Sequence, residues 1–201
     1  MSNIKSKTLK LDYFSYIKAF FNLMKPRVMS LVIFTCAVGL LIAPIKVNFL
    51  DAMLSLVAVA LGSGAAGALN MWYESDLDSI MTRTCLRPIP AGKLTRNQAL
   101  VFGILASIVS IITLYISSNL VAATTLLITI LFYVFVYTIW LKRKTPQNIV
   151  IGGASGALPP VIGWSIATNG ITFEPIILFL IIFVWTPSHF WALSLYKSED
   201  Y

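Results

Sequence analysis

Residues 50–78 read LDAMLSLVAVALGSGAAGALNMWYESDLD, and this stretch carries the clearest indication of the fold. Its first part, Leu50–Trp72, is an apolar run of the length that a membrane-spanning helix needs, about 20 residues. The run passes directly into a segment with three carboxylates, Glu74, Asp76 and Asp78. The stretch therefore predicts a membrane helix that carries a polar site at one end.

The composition of the whole chain agrees with a membrane protein. Of 201 residues, 58% are hydrophobic and 11% are charged, and the mean hydropathy is +0.83, which excludes an ordinary soluble domain. We predict an all-α polytopic transmembrane helix bundle in residues 25–201, after an N-terminal segment 1–24, with no cleavable signal peptide. Its six predicted spans are Val28–Pro44, Leu50–Trp72, Ala99–Ile116, Leu120–Leu141, Ile149–Thr168 and Phe173–Leu195.

The distribution of positive charge predicts the orientation. The formal net charge is +7, and of 15 lysines and arginines only Lys46 falls on the second side of the predicted bundle. Because positive loops stay in the cytoplasm during insertion, we expect both termini and the long polar loops to be cytoplasmic, in a bacterial inner membrane. The charge is thus explained by the membrane, and we expect no nucleic-acid partner. Segment 1–24, with lysines between aromatic residues, is expected to form an interfacial helix.

The acidic segment has helical spacing. Asn70, Glu74 and Asp78 lie four residues apart, so they share one face of a helix, whereas Asp76 lies roughly opposite Glu74. Two carboxylates and an amide are oxygen ligands of the kind that suits Mg²⁺, which shares its remaining positions with water and substrate phosphates.

Basic residues closely follow Asn70, Glu74 and Asp78, which together form a polar stripe. Arg83 and Arg87 are again four apart, and guanidinium groups bind phosphate oxygens in a bidentate manner. The pattern indicates a site for a Mg²⁺-bound diphosphate. The alternative is a solvated loop in which acids and bases only pair with one another.

Several stretches resemble a known family. NMWYESDLDSIMTRTCLRPIPAGKLT (70–95) resembles the first aspartate-rich motif of the UbiA family of intramembrane prenyltransferases, Asn-x-x-x-Asp-x-x-x-Asp, with Glu74 as the middle acid. Three further stretches resemble the members of that family that farnesylate haem. They are MKPRV (24–28), YTIWLKRKTPQNIVIGGASGALPPVIGW (137–164) and WTPSHFWALSLYKSEDY (185–201).

The resemblance implies a reaction and a larger bundle. Farnesyl diphosphate and haem B would give haem O and diphosphate, with Mg²⁺ as cofactor and haem B as substrate; a haem A synthase or the assembly of a terminal oxidase would be candidate partners. Such proteins have about nine transmembrane helices and a second aspartate-rich motif. That motif would begin near Asp200, so the resemblance implies that the chain is truncated at its C-terminus.

The resemblance also assigns roles to residues. It places Asn70, Glu74 and Asp78 at the Mg²⁺–diphosphate site. Asp200 would contribute to the same site from the second aspartate-rich motif. Candidate diphosphate contacts are Lys25, Arg27, Arg83, Arg87 and Lys142. For the basic cluster 142–144, the alternative role is to fix topology and bind lipid headgroups.

Residues of the last spans have two interpretations each. His189 and Trp185 are candidate haem contacts; His189 is alternatively an interior histidine behind Pro187, which would interrupt the helix, and Trp185 an interface anchor. Gly152, Gly153 and Gly156 are expected to pack closely against other helices. The pair Pro159-Pro160 is expected to break or kink its span.

Three other functions remain open from the sequence. A quinone-precursor prenyltransferase of the same fold is disfavoured by the WLKRKTPQN stretch. A cation transporter would place acids deep within several spans, whereas these acids cluster at one end. An inactive fragment would still insert into the membrane.

Overall fold

The computed structural model describes residues 12–145 and 147–196, and within these ranges every regular element is helical. The elements are α1 (Tyr13–Leu23), α2 (Pro26–Ile42), α3 (Phe49–Asp78), α4 (Arg96–Ser117), α5 (Leu120–Leu131), a π-helix (Phe132–Leu141), α6 (Asn148–Ala157), α7 (Pro159–Thr168) and α8 (Phe173–Tyr196).

These helices confirm the predicted all-α membrane bundle. Five of them, counting α5 with the π-helix and α6 with α7, are long and apolar enough to cross a membrane. With 17 residues, α2 is at the short end of the spanning range; it overlaps the first predicted span, and together with α1 it forms a bent pair that would make a sixth span. It meets α1 at an angle of 52°.

The N-terminal helix α1 packs on the bundle. Ala19 and Leu23 are fully buried in a cluster with residues of α3, α4 and the loop between them. Tyr13 and Phe14 are 78% and 73% exposed, so the opposite face remains available to an interface. Residues 1–11, which include three of the predicted interfacial lysines, lie outside the described residues.

The small residues of α3 make it the central helix. A Cβ atom at Gly64 would lie 2.5 Å from Met24 Cε, and Leu69 packs 2.7 Å from the position of a Cβ at Gly103. Without side chains at these positions, the junction of α1 and α2 and the helix α4 approach α3 closely. The closest packing of the bundle therefore surrounds the helix that carries the acidic segment.

The break between α6 and α7 confirms the prediction for the proline pair. Pro159 begins α7, where its missing N–H costs no helical hydrogen bond. A Cβ at Gly152 would lie 2.1 Å from the Tyr137 ring, and one at Gly153 would lie 3.0 Å from Thr186, so both glycines serve packing. For Gly156 the packing prediction is wrong: a Cβ there would have none of the described neighbouring atoms within 4 Å, because this residue borders a cavity.

The last helix, α8, is continuous through Pro187, so the predicted interruption is wrong. Proline leaves a carbonyl of the preceding turn without its donor, and membrane helices accommodate this with nearby hydroxyl groups. Here the carbonyl without its donor is that of Phe183, and the Thr186 hydroxyl donates to the neighbouring carbonyl of Ile182 at 2.7 Å.

Candidate prenyl diphosphate site

The polar stripe at the end of α3 is buried. Asn70, Glu74 and Asp78 are 1%, 3% and 3% exposed, whereas half of the Asp76 side chain, 51%, is exposed. The prediction that three of these residues share a face and that Asp76 faces away is confirmed.

Each buried carboxylate is paired with a basic residue from another part of the chain. Arg87 Nη1 donates to both oxygens of Asp78 at 2.8 Å. Lys142 Nζ lies 2.5 Å from Glu74 Oε1 and donates to Oε2 at 2.7 Å. Burial of a carboxylate is costly unless it is paired and hydrogen-bonded, so these contacts allow two acids to sit inside the helix packing.

The third member of the stripe, Asn70, joins two helices by hydrogen bonds. Its Oδ1 accepts from Lys25 Nζ at 2.5 Å, and its Nδ2 donates to Thr138 Oγ1 at 3.1 Å. The Thr138 hydroxyl in turn donates to the carbonyl of Tyr133 at 2.9 Å. This chain fixes the orientation of the amide and links the start of α2 to the π-helix.

Lys25 reaches the stripe from a strained position. It lies between α1 and α2, outside both helices, with φ 54° in the left-handed region, where side chains other than glycine are uncommon. Its aliphatic stem rests near Gly67 of α3. Burial, together with the positive charges of Arg87 and Lys142, lowers the pKa of Lys25 to about 8. Negative charge placed beside Lys25 would raise that pKa and favour the protonated donor.

The π-helix sets the register of the residues that meet α3. In an α-helix, positions five apart diverge by about 140°, but in the π-helix they are joined by hydrogen bonds. The Thr138 hydroxyl bonds to Tyr133, and Lys142 N bonds to the Tyr137 carbonyl at 3.0 Å, both with this spacing. Thr138 therefore faces Asn70, and Lys142, four residues later, faces Glu74.

A third ion pair lies on the outer face of α3. Arg143 Nη2 donates to the two oxygens of Asp76 at 2.8 and 3.0 Å and to the carbonyl of Tyr73 at 3.3 Å. The guanidinium carbon lies 4.7 Å from the centroid of the Tyr73 ring. Neighbouring basic residues thus diverge: Lys142 contacts the buried stripe, and Arg143 contacts the exposed face.

An apolar cavity of about 110 Å³ adjoins this cluster. Its walls come from α2, α3, α5, the π-helix, α6 and α7, and apolar residues dominate them, among them Val28, Val32, Ala66, Leu126, Ile130 and Ile162. Lys25 and Tyr133 also line it. Since Lys25 bonds to Asn70, the cavity meets the charged cluster at that residue. The arrangement suits a ligand with an anionic head and an apolar tail.

The remaining predicted site residues lie apart from these contacts or outside the description. Arg27 and Arg83 are exposed, and the ion pairs to Glu74 and Asp78 come instead from Lys142 and Arg87. Asp200 lies outside the described residues.

The two candidate haem contacts lie on α8. His189 is exposed and Trp185 is 58% exposed. Their rings stack, with centroids 4.4 Å apart and an interplanar angle of 17°. The side chain of His189 therefore lies on the surface that the described residues form, and both interpretations of this residue stay predictions.

The donor set of the stripe fits Mg²⁺ bound together with a diphosphate. Among the described residues, no three His, Cys, Asp or Glu side chains are grouped as a metal site. Glu74 and Asp78, on one buried face with the amide oxygen of Asn70, offer oxygen donors only. Magnesium commonly takes one or two carboxylates and leaves its other positions to water and phosphate. This small set of oxygen donors therefore fits a magnesium ion that is also bound by the diphosphate of a substrate.

Two residues of the site escaped the sequence reasoning. Thr138 and Tyr133 lie within the apolar run Leu120–Leu141, where no charge marks a site. Thr138 is nevertheless a buried hydroxyl in the aromatic stretch FYVFVYTIWL, and polar residues in membrane helices tend to be functional. That signal could have identified Thr138. Tyr133 has no comparable signal.

Known proteins match both the sequence and the fold. The model of the UbiA prenyltransferase family matches residues 32–201. The chain is 68% identical over all of its 201 residues to a protein named protoheme IX farnesyltransferase from Pelagibacter ubique (strain HTCC1062), and it covers 66% of that protein. It is 58% identical over 182 residues, 90% of its own length, to protoheme IX farnesyltransferase 2 of Mesorhizobium japonicum, of which it covers 58%.

A solved structure has the same arrangement of helices. A UbiA homolog from Archaeoglobus fulgidus bound to DMAPP and Mg²⁺ superimposes with a TM-score of 0.67 at 18% identity; the match covers 83% of this chain and 60% of that one. The chain thus spans about two thirds or less of the length of these proteins. Since the family model covers most of the sequence and the fold agrees, the chain belongs to the UbiA prenyltransferase family.

Proposed function

We propose that the chain takes part in the transfer of a farnesyl group from farnesyl diphosphate to a vinyl group of haem B, which gives haem O and diphosphate. The observation that carries this proposal is the meeting of an apolar cavity with a buried cluster of two carboxylates, two lysines and an arginine. High identity to proteins named protoheme IX farnesyltransferase supports the choice of acceptor.

In this proposal the stripe binds the diphosphate head. Asn70, Glu74 and Asp78 would hold Mg²⁺ with the diphosphate, and Asp200, from the second aspartate-rich motif, would bind at the same site. The ion, when bound, supplies positive charge to the leaving diphosphate. Lys25, Arg87 and Lys142 would contact the diphosphate oxygens, because all three already surround the stripe. Arg27 and Arg83 are proposed as outer contacts, where their exposed charges attract the anion.

The reaction requires charge separation at the end of the cavity. When the allylic C1–O bond breaks, its electron pair stays with the diphosphate oxygen and positive charge forms on the farnesyl group. Basic side chains fixed before the reaction stabilise the departing anion. The apolar walls exclude water from the cation, which is attacked by the terminal vinyl carbon of haem. Water then adds at the other vinyl carbon and loses a proton, so the product carries a hydroxyl group.

The haem is proposed to approach α8. Trp185 and His189 present a stacked aromatic surface there, and flat aromatic systems favour such contacts. The bundle would lie in a bacterial inner membrane with the site toward the cytoplasm, as the distribution of positive charge predicts. A haem A synthase or a terminal oxidase in assembly would receive the product.

Haem analysis tests the proposal. The chain as given, and a version extended by the C-terminal third of the Pelagibacter ubique relative, would be produced in a bacterium that lacks haem O. We expect haem O, detected by chromatography and mass spectrometry, with the extended version. Its absence from membranes that contain both proteins well inserted would contradict the proposed acceptor, and farnesylation of a quinone precursor would then identify the alternative function.

A further inference from the structure

Tyr133 occupies the boundary between the cavity and the charged cluster. Tyr133 lines the cavity, and its backbone carbonyl accepts the hydrogen bond from Thr138 that ends the chain from Asn70. One residue thus belongs both to the wall of the apolar space and to the polar network.

Tyr133 shares the cavity wall with one charged residue, Lys25. Its ring packs beside that of Tyr137, with centroids 5.2 Å apart and planes inclined by 31°. The other residues of the wall are mostly apolar and include Leu126 and Ile130. The ring therefore lies where charge and hydrocarbon meet.

This position has a consequence for an allylic diphosphate, and the inference rests on the proposed function. With the diphosphate at Lys25 and the hydrocarbon chain in the cavity, the bond between C1 and oxygen crosses the boundary where Tyr133 lies. After that bond breaks, the positive charge is shared by C1 and C3 of the allyl group. An aromatic face attracts a cation placed over it, most strongly where water is excluded.

We propose that the Tyr133 ring faces the reacting allyl group and stabilises its positive charge. The ring, and not the hydroxyl group, carries this role. The π-helix is the positioning element, since its register ties the backbone of Tyr133 to Asn70 through Thr138. Tyr133 is then a catalytic residue that also favours allylic substrates over saturated ones, which form no comparable cation.

A pair of substrate mimics tests this role without turnover. The first is a farnesyl analogue with a protonated tertiary nitrogen at position 3, and the second is its neutral carbon isostere. Binding of each to the chain in lipid nanodiscs would be measured with Mg²⁺ and inorganic diphosphate present. A cation–π contact in a desolvated site favours the charged mimic by about 10- to 30-fold.

Three variants separate the ring from the hydroxyl group and from packing. We expect Tyr133→Phe to retain the preference for the cation and Tyr133→Leu to reduce it to about 1. The matched control is Phe135→Leu, because Phe135 lies on the same π-helix and is 57% exposed; its preference should equal that of the unsubstituted chain. If Tyr133→Leu does not fold, phenylalanines with one to three ring fluorines at position 133 replace it, and the preference should fall with each fluorine.

Some results of these measurements would overturn the role of the Tyr133 ring, and others would refute only the proposed acceptor. A preference that survives in Tyr133→Leu or is insensitive to fluorination, that is lost in Tyr133→Phe, or that is missing from the unsubstituted chain, overturns the role of the ring. A preference that follows the ring while the extended chain makes no haem O refutes the proposed acceptor and leaves the role of Tyr133 standing.

Discussion

Helices α3 and α8 differ sharply in burial, although both are long apolar helices with polar residues near one end. Over their most apolar windows, 56% of α3 is buried and 11% of α8. Small residues let neighbours close around α3, and basic residues of three other segments then reach its polar stripe. On α8 the ring of His189 stacks on Trp185 and meets Phe190 edge-on, and both neighbours belong to the same helix. Hydropathy alone thus identifies a span, whereas the small residues of α3 let its neighbours approach closely and fix a site.

The strongest test of this contrast is within α3 itself. We expect Asp78→Asn to lower prenyl transfer by about 100- to 1,000-fold, because loss of one preorganised charged group at a reacting centre has effects of that size. Asp76→Asn should lower it by less than about 10-fold, since Asp76 faces outward and pairs with Arg143. Haem O formation in membranes with equal amounts of each variant is the measurement. If Asp76→Asn proved the more damaging variant, the argument from the buried face would be wrong.

The basic partner of Glu74 gives the next largest effect. Lys142→Met removes the ammonium group that bonds to Glu74 and should raise the KM for farnesyl diphosphate by roughly 10- to 100-fold, the size typical of a charged hydrogen bond. Lys144→Met, which removes the same charge two residues later, is the matched control. Equal effects of both substitutions on the KM would assign the 142–144 cluster to topology or lipid binding.

Close packing between α2 and α7 should affect stability more than activity. A Cβ at Gly163 would lie 1.9 Å from the backbone oxygen of Cys36, so Gly163→Ala must push backbones apart and should cost about 1–3 kcal/mol. At Gly156, which has no atom within 4 Å of such a Cβ, alanine should be nearly neutral. Thermal unfolding in detergent would compare the two, and equal losses would contradict the packing described for α7.

The smallest effect is expected on α8. His189→Ala removes one ring of the exposed stack with Trp185 and should raise the KM for haem by a few-fold, on the order of one aromatic contact, while the KM for farnesyl diphosphate stays unchanged. Ser188→Ala is the neighbouring control. A His189→Ala variant that changed only the KM for farnesyl diphosphate would refute the assignment of α8 to haem.

Local patterns predicted the spans and the stripe, because both depend on residues close in sequence. The four-residue spacing of Asn70, Glu74 and Asp78 indicated a shared face before any fold was known, and the proline pair indicated the break before α7. Such features are set by helix geometry and by backbone chemistry.

Contacts across the bundle could not be predicted in the same way. Spacing gave no reason to prefer Arg87 over Arg83 as the partner of Asp78, since a loop joins them to α3. Lys25 reaches Asn70 across 45 residues only because glycines of α3 admit the junction of α1 and α2. The π-helix depends on one extra residue in each turn, which an apolar run does not reveal.

Equilibrium binding of a non-hydrolysable farnesyl diphosphate tests the central claim most directly. The chain in nanodiscs would be titrated calorimetrically with farnesyl thiodiphosphate, with Mg²⁺ or with a chelator, alongside Asp78→Asn and Asp76→Asn. We expect binding that needs Mg²⁺, falls at least about 10-fold in Asp78→Asn and persists in Asp76→Asn. Binding that ignores both the chelator and Asp78→Asn would contradict the assignment of the buried stripe of α3 as the diphosphate site.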